Sequence, residues 1–319
     1  MNTKTINWVL AHEPYDLFIK AATQFAQDVK DGTDGRYMIN VLSLADWNAR
    51  SELNQLTTHA SDREKVVGLV NSGTIDMATV YVNTLGSVDK NLWVLSMPFL
   101  FNSHEQAEQV LDGEIGTELL AGLSHTSNIK GLAFTYSGGF RIIPSVQAIE
   151  SVRDFYNLTI RTSKNPVAID TFKSLGANPV SILIDEFRDA MNNQTVTAGE
   201  TTYPRFFSMG HHEQARYINH TEHSLFLTGI VMNSQVWNEM SIEDQSVFAE
   251  AATSAAKTER AESLADIERV QREAAGVGIP TLVMPATERA KFASTTKTIY
   301  SKYETFFDNG LLSRITKLQ

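Results

Sequence analysis

The chain has 319 residues and a formal net charge of -10, and 42% of its residues are hydrophobic. This length is too great for one ordinary core, and the apolar content is sufficient to bury two. The negative charge argues against nucleic acid or anionic lipid as a partner, because both would be repelled. The absence of cysteine excludes disulfides and thiolate metal sites.

Extended and helical segments alternate in the first half of the chain. Strands are predicted at 6–11, 37–44 and 75–82, and helices at 14–30 and 62–71. Glycine-containing turns follow both helices. Strands separated by helices of this length predict parallel sheets with right-handed crossovers.

The same alternation returns in the second half. Strands are predicted at 158–162, 178–182 and 195–199, and helices at 166–175 and 184–192. Two such series, before about residue 130 and after about residue 150, predict two α/β domains.

Two long segments are expected to connect these domains. Residues 129–144 form an extended segment interrupted by Gly138-Gly139, as expected of a strand that crosses between domains. Residues 241–275 contain neither glycine nor proline and predict a helix roughly 50 Å long, which is longer than one domain. A coiled coil is the alternative, but the apolar positions are too sparse for sustained heptads.

No compact enzyme motif is present, since nothing matches G-x-G-x-x-G, G-x-x-x-x-G-K or G-x-S-x-G. Four histidines, at 211, 212, 220 and 223, raise the question of a metal site. In one continuous strand His220 and His223 would point to opposite faces, because their spacing is odd. We therefore favour surface or hydrogen-bonded histidines, and predict no metal, no cofactor and no catalytic residue.

Arg161 is the strongest candidate for binding an anion. It lies at the carboxyl end of the predicted strand LTIRT, where parallel α/β sheets bind ligands. A guanidinium is a rigid fork that matches a carboxylate. Arg141 follows the glycine pair, and Glu200 ends the strand TVTAGE, so we hypothesise that Glu200 holds the Arg161 guanidinium in place. The alternatives are two surface arginines and a solvated turn acid.

Several aromatic residues fall near the same strand ends. They are either core residues or the apolar walls of a cleft that closes on a ligand. The set comprises Tyr81, Tyr136, Phe140, Tyr203, Phe206 and Phe207.

The order and spacing of several segments resemble the solute-binding proteins of tripartite ATP-independent periplasmic (TRAP) transporters. The similar segments are HEPYDLFIKAATQFAQDVKDGTDGRYMINVL, LVNSGTIDMATV, MPFLFNSHEQA, SGGFR, LTIRT, FKSLGANPVSI, DEFRDAMNNQTVTAGE and VMNSQVWNEMSIEDQSVFAEAA. The resemblance implies an α/β, two-domain periplasmic-binding-protein-like fold with mostly parallel sheets, hinge strands and a long helix bridging both domains. We expect residues 1–138 plus 227–266 to form domain I and 139–226 plus 267–319 to form domain II, with the ligand cleft between them.

The resemblance also implies roles for individual residues. Arg161 would pair with the ligand carboxylate, and Arg141, 20 positions earlier, would support it. Thr201 stands where the family usually has a ligand-binding asparagine, and it retains one hydroxyl for hydrogen bonding. Glu200 matches the family glutamate, and Lys164 would supply a cation for a second acidic group.

Other expected ligand contacts come from residues on both domains. His12 and Tyr81 would complete the cleft on closing, and Phe140 and Tyr203 would contribute apolar walls. Tyr81 and Thr84 stand where sialate receptors carry an acid and an arginine, which makes sialic acid an unexpected ligand. The segment at 43–61 is longer than the usual family loop, so the predicted ligand contact of Trp47 depends on how that segment folds.

The predicted function is that of a non-enzymatic, monomeric receptor for a small organic acid. The acid would be a sugar acid, a dicarboxylate or an aromatic or hydroxy acid, delivered to a TRAP membrane permease. The first ten residues lack a basic segment followed by an apolar core, and the resemblance implies a processed periplasmic protein. The alternatives are a ligand-sensing subunit of a signalling receptor and an enzyme that processes sugar acids with Glu200 as acid or base.

Overall fold

The computed structural model of the protein describes residues 3–12, 14–50 and 60–318. The chain has the predicted α/β class and divides into two compact units. Unit 1 comprises Met1–Asp89, Leu111–Ser137 and Leu227–Glu262, and unit 2 comprises Lys90–Val110, Gly138–Phe226 and Ser263–Gln319.

The strands of the described residues are numbered in chain order. They are β1 Lys4–Leu10, β2 Tyr37–Ser43, β3 Met77–Tyr81, β4 Ile129–Phe140, β5 Ile143–Ser145, β6 Thr159–Thr162, β7 Asn178–Ser181, β8 Ala198–Gly199, β9 Tyr217–His220, β10 Leu225–Asn233 and β11 Thr281–Val283.

The α-helices are numbered in the same way. They are α1 Tyr15–Gly32, α2 Leu44–Arg50, α3 Ala60–Ser72, α4 Val82–Leu85, α5 His104–Leu111, α6 Glu114–Thr126, α7 Pro166–Ser174, α8 Phe187–Asn192, α9 Tyr203–Ser208, α10 Ser234–Asn238, α11 Ile242–Gly276, α12 Ala286–Thr295, α13 Lys297–Tyr303 and α14 Leu311–Thr316. Short 3-10 helices occur at Lys90–Ser96, Val152–Phe155, Ile184–Glu186, His211–Glu213 and Asp308–Gly310.

A five-stranded sheet with the order β2-β1-β3-β10-β4 forms the centre of unit 1. β1 pairs in parallel with β2 and β3, and β10 pairs antiparallel to β3. The apolar face of α1 packs on this sheet through Phe25, whose ring meets Trp8 and Phe248 edge-on. Burial of these rings joins α1, β1 and the start of α11 in one core.

Unit 2 contains a six-stranded sheet with the order β11-β9-β5-β8-β6-β7. β6 pairs in parallel with both β7 and β8, so the carboxyl ends of these three strands lie side by side. Two cores cover the sheet. One includes Ile142, Phe187 and Phe206, and the other includes Ile143, Ile160 and Phe292. The alternation of Ile142 and Ile143 between them follows the two faces of an extended backbone.

The long helix α11 begins and ends within one residue of the predicted bounds. Residues 242–262 belong to unit 1 and 263–276 to unit 2. The predicted domain division differs from the units at residue 138, at residues 263–266 and, most extensively, at residues 90–110, all of which belong to unit 2. For residues 90–110 the reason is local packing, because Trp93 stacks on Phe306 and Lys90 donates to the Phe306 carbonyl oxygen.

Two predicted extended segments differ most from expectation. The segment 195–199 is a strand only at Ala198–Gly199, because the backbone N–H groups of Thr195 and Val196 bond the Ala190 carbonyl oxygen and close the end of α8. The segment 129–144 is interrupted at Arg141 and Ile142, between β4 and β5. Gly138 and Gly139 have φ of 87° and 69°, values at which a side chain would be strained.

The segment that contains His220 and His223 is also interrupted. A turn over residues 221–224, with Glu222 at φ 49°, separates β9 from β10, so the single strand assumed for His220 and His223 is wrong. Within the described residues, no group of three or more metal-binding side chains is gathered for an ion. Over the same part of the chain, no helix is both long and apolar enough to span a membrane.

Candidate functional site

The side chain of Arg161 crosses the carboxyl ends of three neighbouring strands in unit 2. It lies on β6, opposite Val180 of β7 and Gly199 of β8. Its Nε donates to the Ile182 carbonyl oxygen at 2.8 Å, and its Nη1 donates to the Glu200 carbonyl oxygen at 3.0 Å. Nη2 donates no hydrogen bond to any described residue, which leaves one edge of the fork available.

Arg141 places a second buried guanidinium in the same unit, immediately after β4. Its Nε lies 3.5 Å from Glu200 Oε2, and the guanidinium carbon lies 4.2 Å from the centroid of the Phe226 ring. None of its guanidinium N–H groups makes a hydrogen bond within the described part of the chain, although the residue is only 5% exposed; its backbone N–H donates to the Ser224 carbonyl oxygen. A guanidinium has five N–H donors, so this is an unusually large unmet donor capacity.

The carboxylate of Glu200 lies among these cations but does not bond Arg161 directly. Oε1 accepts from Thr162 Oγ1 at 2.7 Å and from the Ser163 N–H at 3.3 Å, and Oε2 faces Arg141 and His223. The hypothesis that Glu200 holds the Arg161 guanidinium therefore needs a correction: the contact is made by its backbone carbonyl oxygen.

The ionisation of these three groups follows from burial and mutual attraction. Burial alone would raise the pKa of Glu200, but Arg141, His223 and Arg161 together hold it well below its usual range. Burial lowers the pKa of Arg161 to about 10, against the opposing effect of Glu200, and the pKa of Arg141 is lowered for the same reason. At neutral pH the two cations and one anion leave a net positive site in a negatively charged protein.

His223 packs against the same carboxylate from the turn between β9 and β10. Its Nε2 lies 3.5 Å from Glu200 Oε2, and its Nδ1 lies 2.7 Å from Thr221 Oγ1. Its ring stacks on Phe292 in the core. Burial lowers the pKa of His223, so the imidazole is neutral and adds no charge to the site.

Thr201 lies beside the arginines, and Lys164 does not lie in the buried cluster. Thr201 is fully buried, its backbone bridges Ile142, and its Oγ1 has no hydrogen-bond partner among the described residues. Lys164 is exposed on the loop between β6 and α7. Of these two predicted contacts, only Thr201 presents a buried, unused polar atom.

The predicted aromatic walls of unit 2 have different surroundings. Phe140 is 7% exposed, and its ring lies 4.6 Å from that of His104. Tyr203 is fully buried, and its hydroxyl bonds His220 Nδ1 at 2.7 Å and accepts from Gln271 Nε2 at 2.9 Å. Burial raises the pKa of Tyr203 to about 12. Tyr203 is thus a hydrogen-bonded core residue of unit 2.

Three predicted site residues lie in unit 1. His12 is buried after β1, with its ring 4.2 Å from Tyr81 and 4.9 Å from Phe18. Trp47 is half-buried on α2, and residues 51–59 of the predicted insertion at 43–61 lie outside the described residues. His12 and Tyr81 therefore form one aromatic pair at the carboxyl ends of β1 and β3.

The structure adds site residues that sequence reasoning missed. Phe226 receives the guanidinium groups of both Arg141 and Arg205, the latter 4.6 Å from the ring centroid. Thr162 donates to the Glu200 carboxylate, and His223 Nε2 lies 3.5 Å from it. No local motif marks these residues, because each reaches the cluster from a different strand or turn.

Comparisons with known proteins identify a family and similar structures for this chain. The family model described as "Bacterial extracellular solute-binding protein, family 7" (DctP) matches residues 10–305. A solute-binding protein of Chromohalobacter salexigens is 24% identical over 284 residues, which cover 89% of this chain and 80% of that protein.

Two solved structures share the fold over nearly the whole chain. A TRAP periplasmic solute-binding protein from Bradyrhizobium sp. BTAi1, in complex with α/β-D-galacturonate, is 25% identical, with a TM-score of 0.85 and coverage of 98% of this chain and 100% of that chain. A TRAP periplasmic solute-binding protein from Chromohalobacter salexigens, with bound D-glucuronate, is 23% identical, with a TM-score of 0.86 and the same coverage.

Proposed function

Because this chain belongs to bacterial extracellular solute-binding protein family 7, we propose that it is an extracytoplasmic receptor for one small organic acid. The ligand carboxylate binds the free edge of Arg161 and the guanidinium of Arg141. The family consists of solute-binding receptors, and the proposed role of this chain is binding without turnover.

The observation that carries the proposal is the state of Arg141. This guanidinium is buried, yet it makes no hydrogen bond with any residue that the structure describes. A buried cation without hydrogen bonds is costly, and a carboxylate ligand would remove that cost. Glu200 compensates part of the charge through Oε2 at 3.5 Å, while its other oxygen, Oε1, accepts from Thr162 and Ser163.

Arg161 supplies the directional part of the recognition. Two of its N–H groups are fixed by backbone carbonyl oxygens, which orient the guanidinium plane without neutralising its charge. The fork is therefore pre-organised, and little side-chain entropy is lost when the ligand binds.

The relatives support a sugar acid as the ligand class to test first. The Bradyrhizobium protein is solved with galacturonate and the Chromohalobacter protein with D-glucuronate. Both ligands are uronates, which carry one carboxylate and several hydroxyl groups. Dicarboxylates and aromatic or hydroxy acids belong in the same screen.

The rest of the proposal concerns the protein's place and partner. We place the receptor in the periplasm, where it would pass the acid to the membrane subunits of a TRAP permease. Closure of two domains on the ligand, expected from the sequence, remains part of this proposal.

A thermal-shift screen over organic acids tests the proposed function. A ligand that binds only the folded protein raises Tm, by an amount that grows with its concentration relative to Kd. We expect at least one carboxylate to raise Tm while its neutral analogue does not. A screen in which no acid raises Tm, followed by calorimetry without measurable heat of binding, would contradict the proposal.

A further inference from the structure

Two residues of unit 2 that are not glycine have left-handed backbone conformations and are joined to each other. Glu222, in the turn over residues 221–224, has φ 49°, and Phe99 has φ 55°. A residue with a Cβ is strained at such angles, so it persists there only where its surroundings hold it. The Phe99 N–H donates to the His223 carbonyl oxygen at 2.8 Å, which links both strained positions through this turn.

The Glu222 carboxylate is held from two sides. Its Oε1 lies 3.2 Å from His220 Nε2, and its Oε2 lies 3.5 Å from Arg289 Nη2. The guanidinium carbon of Arg289 also lies 5.3 Å from the centroid of the Phe99 ring. One cation therefore contacts both left-handed residues, and all three charged or polar partners are partly shielded from water.

His220 is oriented by hydrogen bonds that begin in the core of unit 2. Gln271 Nε2 donates to the Tyr203 hydroxyl oxygen at 2.9 Å, which leaves the hydroxyl proton for His220 Nδ1 at 2.7 Å. An imidazole that accepts at Nδ1 carries its proton on Nε2, the nitrogen nearest Glu222. The donors thus follow one direction, from Gln271 through Tyr203 and His220 to the Glu222 carboxylate.

The turn supplies two groups to the anion site around Arg141 and Glu200. His223 Nε2 lies 3.5 Å from Glu200 Oε2, and the Ser224 carbonyl oxygen accepts from the Arg141 backbone N–H at 2.9 Å. His223 and Ser224 directly follow Glu222 in the chain. The backbone angles of Glu222 therefore set where both groups lie.

We propose that Glu222 is a positioning residue for the anion site: its contacts with His220 and Arg289 hold its turn in the left-handed conformation that the site requires. This inference rests on the proposed function and adds a residue that acts through other residues. A turn that relaxes would withdraw the carbonyl oxygen that fixes the backbone of Arg141, and affinity for a carboxylate would fall.

Amide hydrogen exchange of the unliganded protein, followed by NMR, tests the positioning role. The amides of Arg141 and Phe99 both donate to carbonyl oxygens of the turn. We expect both to exchange at least about 10-fold faster in Glu222→Ala than in the wild-type protein, because local opening becomes easier. The Asn178 amide, which donates to the Leu158 carbonyl oxygen, reports on unfolding elsewhere in unit 2 and should not change.

Calorimetry tests whether the turn serves binding. D-galacturonate, D-glucuronate, succinate and benzoate represent the classes of acid in the proposed function. For the acid of these four that the wild-type protein binds most tightly, Kd should rise about 10-fold in Glu222→Ala. Arg289→Gln removes one of the two partners and should shift both readouts in the same direction, so it provides the test if Glu222→Ala does not fold.

Glycine at the same position separates positioning from a loss of charge. Glu222→Gly removes the carboxylate but adopts positive φ without strain, whereas alanine removes the carboxylate and keeps the strain. We expect Glu222→Gly to bind the acid more tightly than Glu222→Ala and to protect the Arg141 amide better. Equal effects of the two substitutions would contradict the role of the left-handed conformation.

Asp34→Ala is the matched control. Asp34 also has φ 49°, and its Oδ2 lies 3.5 Å from Arg36 Nη1, but it belongs to the turn between α1 and β2 in unit 1. The substitution removes an acid of the same backbone conformation and the same kind of ion pair. It should change neither the affinity nor the exchange of the Arg141 and Phe99 amides.

The outcomes separate this inference from the proposed function. Unchanged exchange at Arg141 and Phe99 in Glu222→Ala would overturn the inference, and so would equal acceleration of these amides and that of Asn178, the result of general destabilisation. Faster exchange with unchanged affinity would also overturn it, because the turn would then not serve binding. No binding of any of the four acids by the wild-type protein would overturn the proposed function, and the role of Glu222 in binding with it.

Discussion

Arg161 donates to the backbone carbonyl oxygen of Glu200, while the Glu200 carboxylate accepts from the hydroxyl of the neighbouring Thr162. The two charged side chains thus lie in one cluster without forming a direct hydrogen bond. Backbone dipoles orient the guanidinium, and its charge remains available for a ligand. Under the proposed function, this arrangement lets a protein with a net charge of -10 attract an anion at one buried point.

Replacement of Arg161, the proposed anchor of the ligand carboxylate, should remove most of the affinity for the organic acid. For Arg161→Ala we expect a loss of about 3–5 kcal/mol of binding free energy, a hundredfold or more in Kd, because the ligand charge would then be buried without its partner. Arg161→Lys should also weaken binding, since a point charge replaces a fixed fork. Calorimetry with the tightest acid of the screen measures both effects.

Arg272→Ala is the matched control for this prediction. Arg272 lies on α11 with a side chain 72% exposed, and its pairing with Glu268 is a surface contact. Its affinity should equal that of the wild-type protein. Equal affinities for Arg161→Ala and Arg272→Ala would rule out the anchor.

Glu200 should stabilise the fold of the unliganded protein. In Glu200→Gln the Thr162 hydroxyl keeps an acceptor, but two buried guanidinium groups lose their compensating charge. Breaking a buried ion pair costs about 3–5 kcal/mol, so Tm should fall by several degrees. Saturating organic acid should raise Tm more in this variant than in the wild-type protein. A Tm equal to that of the exposed control Glu268→Gln would contradict the prediction.

Glu200 should also make the free energy of unfolding depend on pH, with a sign that follows from its lowered pKa. The folded pKa of Glu200 is lowered, so its contribution to the free energy of unfolding is fully present above the unfolded pKa of about 4.3. It is lost as the pH falls from that value toward the folded pKa. Urea titrations between pH 6 and pH 3 should therefore show a smaller pH dependence for Glu200→Gln than for the wild-type protein. Parallel curves would mean that Glu200 is not ionised in the fold.

The buried His211 should make stability depend on pH in a second range, at higher pH than that of Glu200. The pKa of His211 is well below its usual value in the folded protein, so the unfolded chain takes up this proton first as the pH falls. Stability should therefore decline below about pH 6.5, the usual pKa of histidine. His211→Phe should make the difference in unfolding free energy between pH 7.5 and pH 5.5 smaller. An unchanged difference would show that the imidazole is hydrated in the folded state.

Close packing beside Arg161 should make Gly199 intolerant of a side chain. A Cβ there would lie 2.4 Å from two atoms of the Phe187 ring and 3.0 Å from the Arg161 Cβ. Gly199→Ala should therefore displace the ring, cost about 1–3 kcal/mol of stability and weaken ligand binding. Gly68→Ala, at a helical position on α3 with no atom near the added Cβ, is the control. Similar Tm values for the two variants would contradict this prediction.

Much of the fold could be predicted because the signals are local. The helix at Ile242–Gly276 follows from a long run without glycine or proline, and Arg161 falls at a strand end because the pattern LTIRT ends there. The strand expected at 195–199 is reduced to Ala198–Gly199, since Thr195 and Val196 use their N–H groups to close the end of α8. Propensity alone cannot show where a helix end takes those bonds.

The partners inside the site were less predictable. Glu200 was placed near Arg161 correctly, but its carboxylate binds Thr162 and faces His223, which comes from a turn created by the left-handed Glu222. Phe226 reaches the cluster from a strand whose sequence resembles ordinary core. Only the pairing of distant strands shows that these residues come together in one cluster.

The central claim is that two buried guanidinium groups recognise the charge of a carboxylate. Its most direct test is calorimetry of the tightest-binding acid and of its uncharged amide, which differ in little except that charge. We expect the acid to bind at least about 100-fold more tightly than the amide, a difference that shrinks in Arg161→Ala. Equal affinity for the acid and the amide in the wild-type protein would contradict the account.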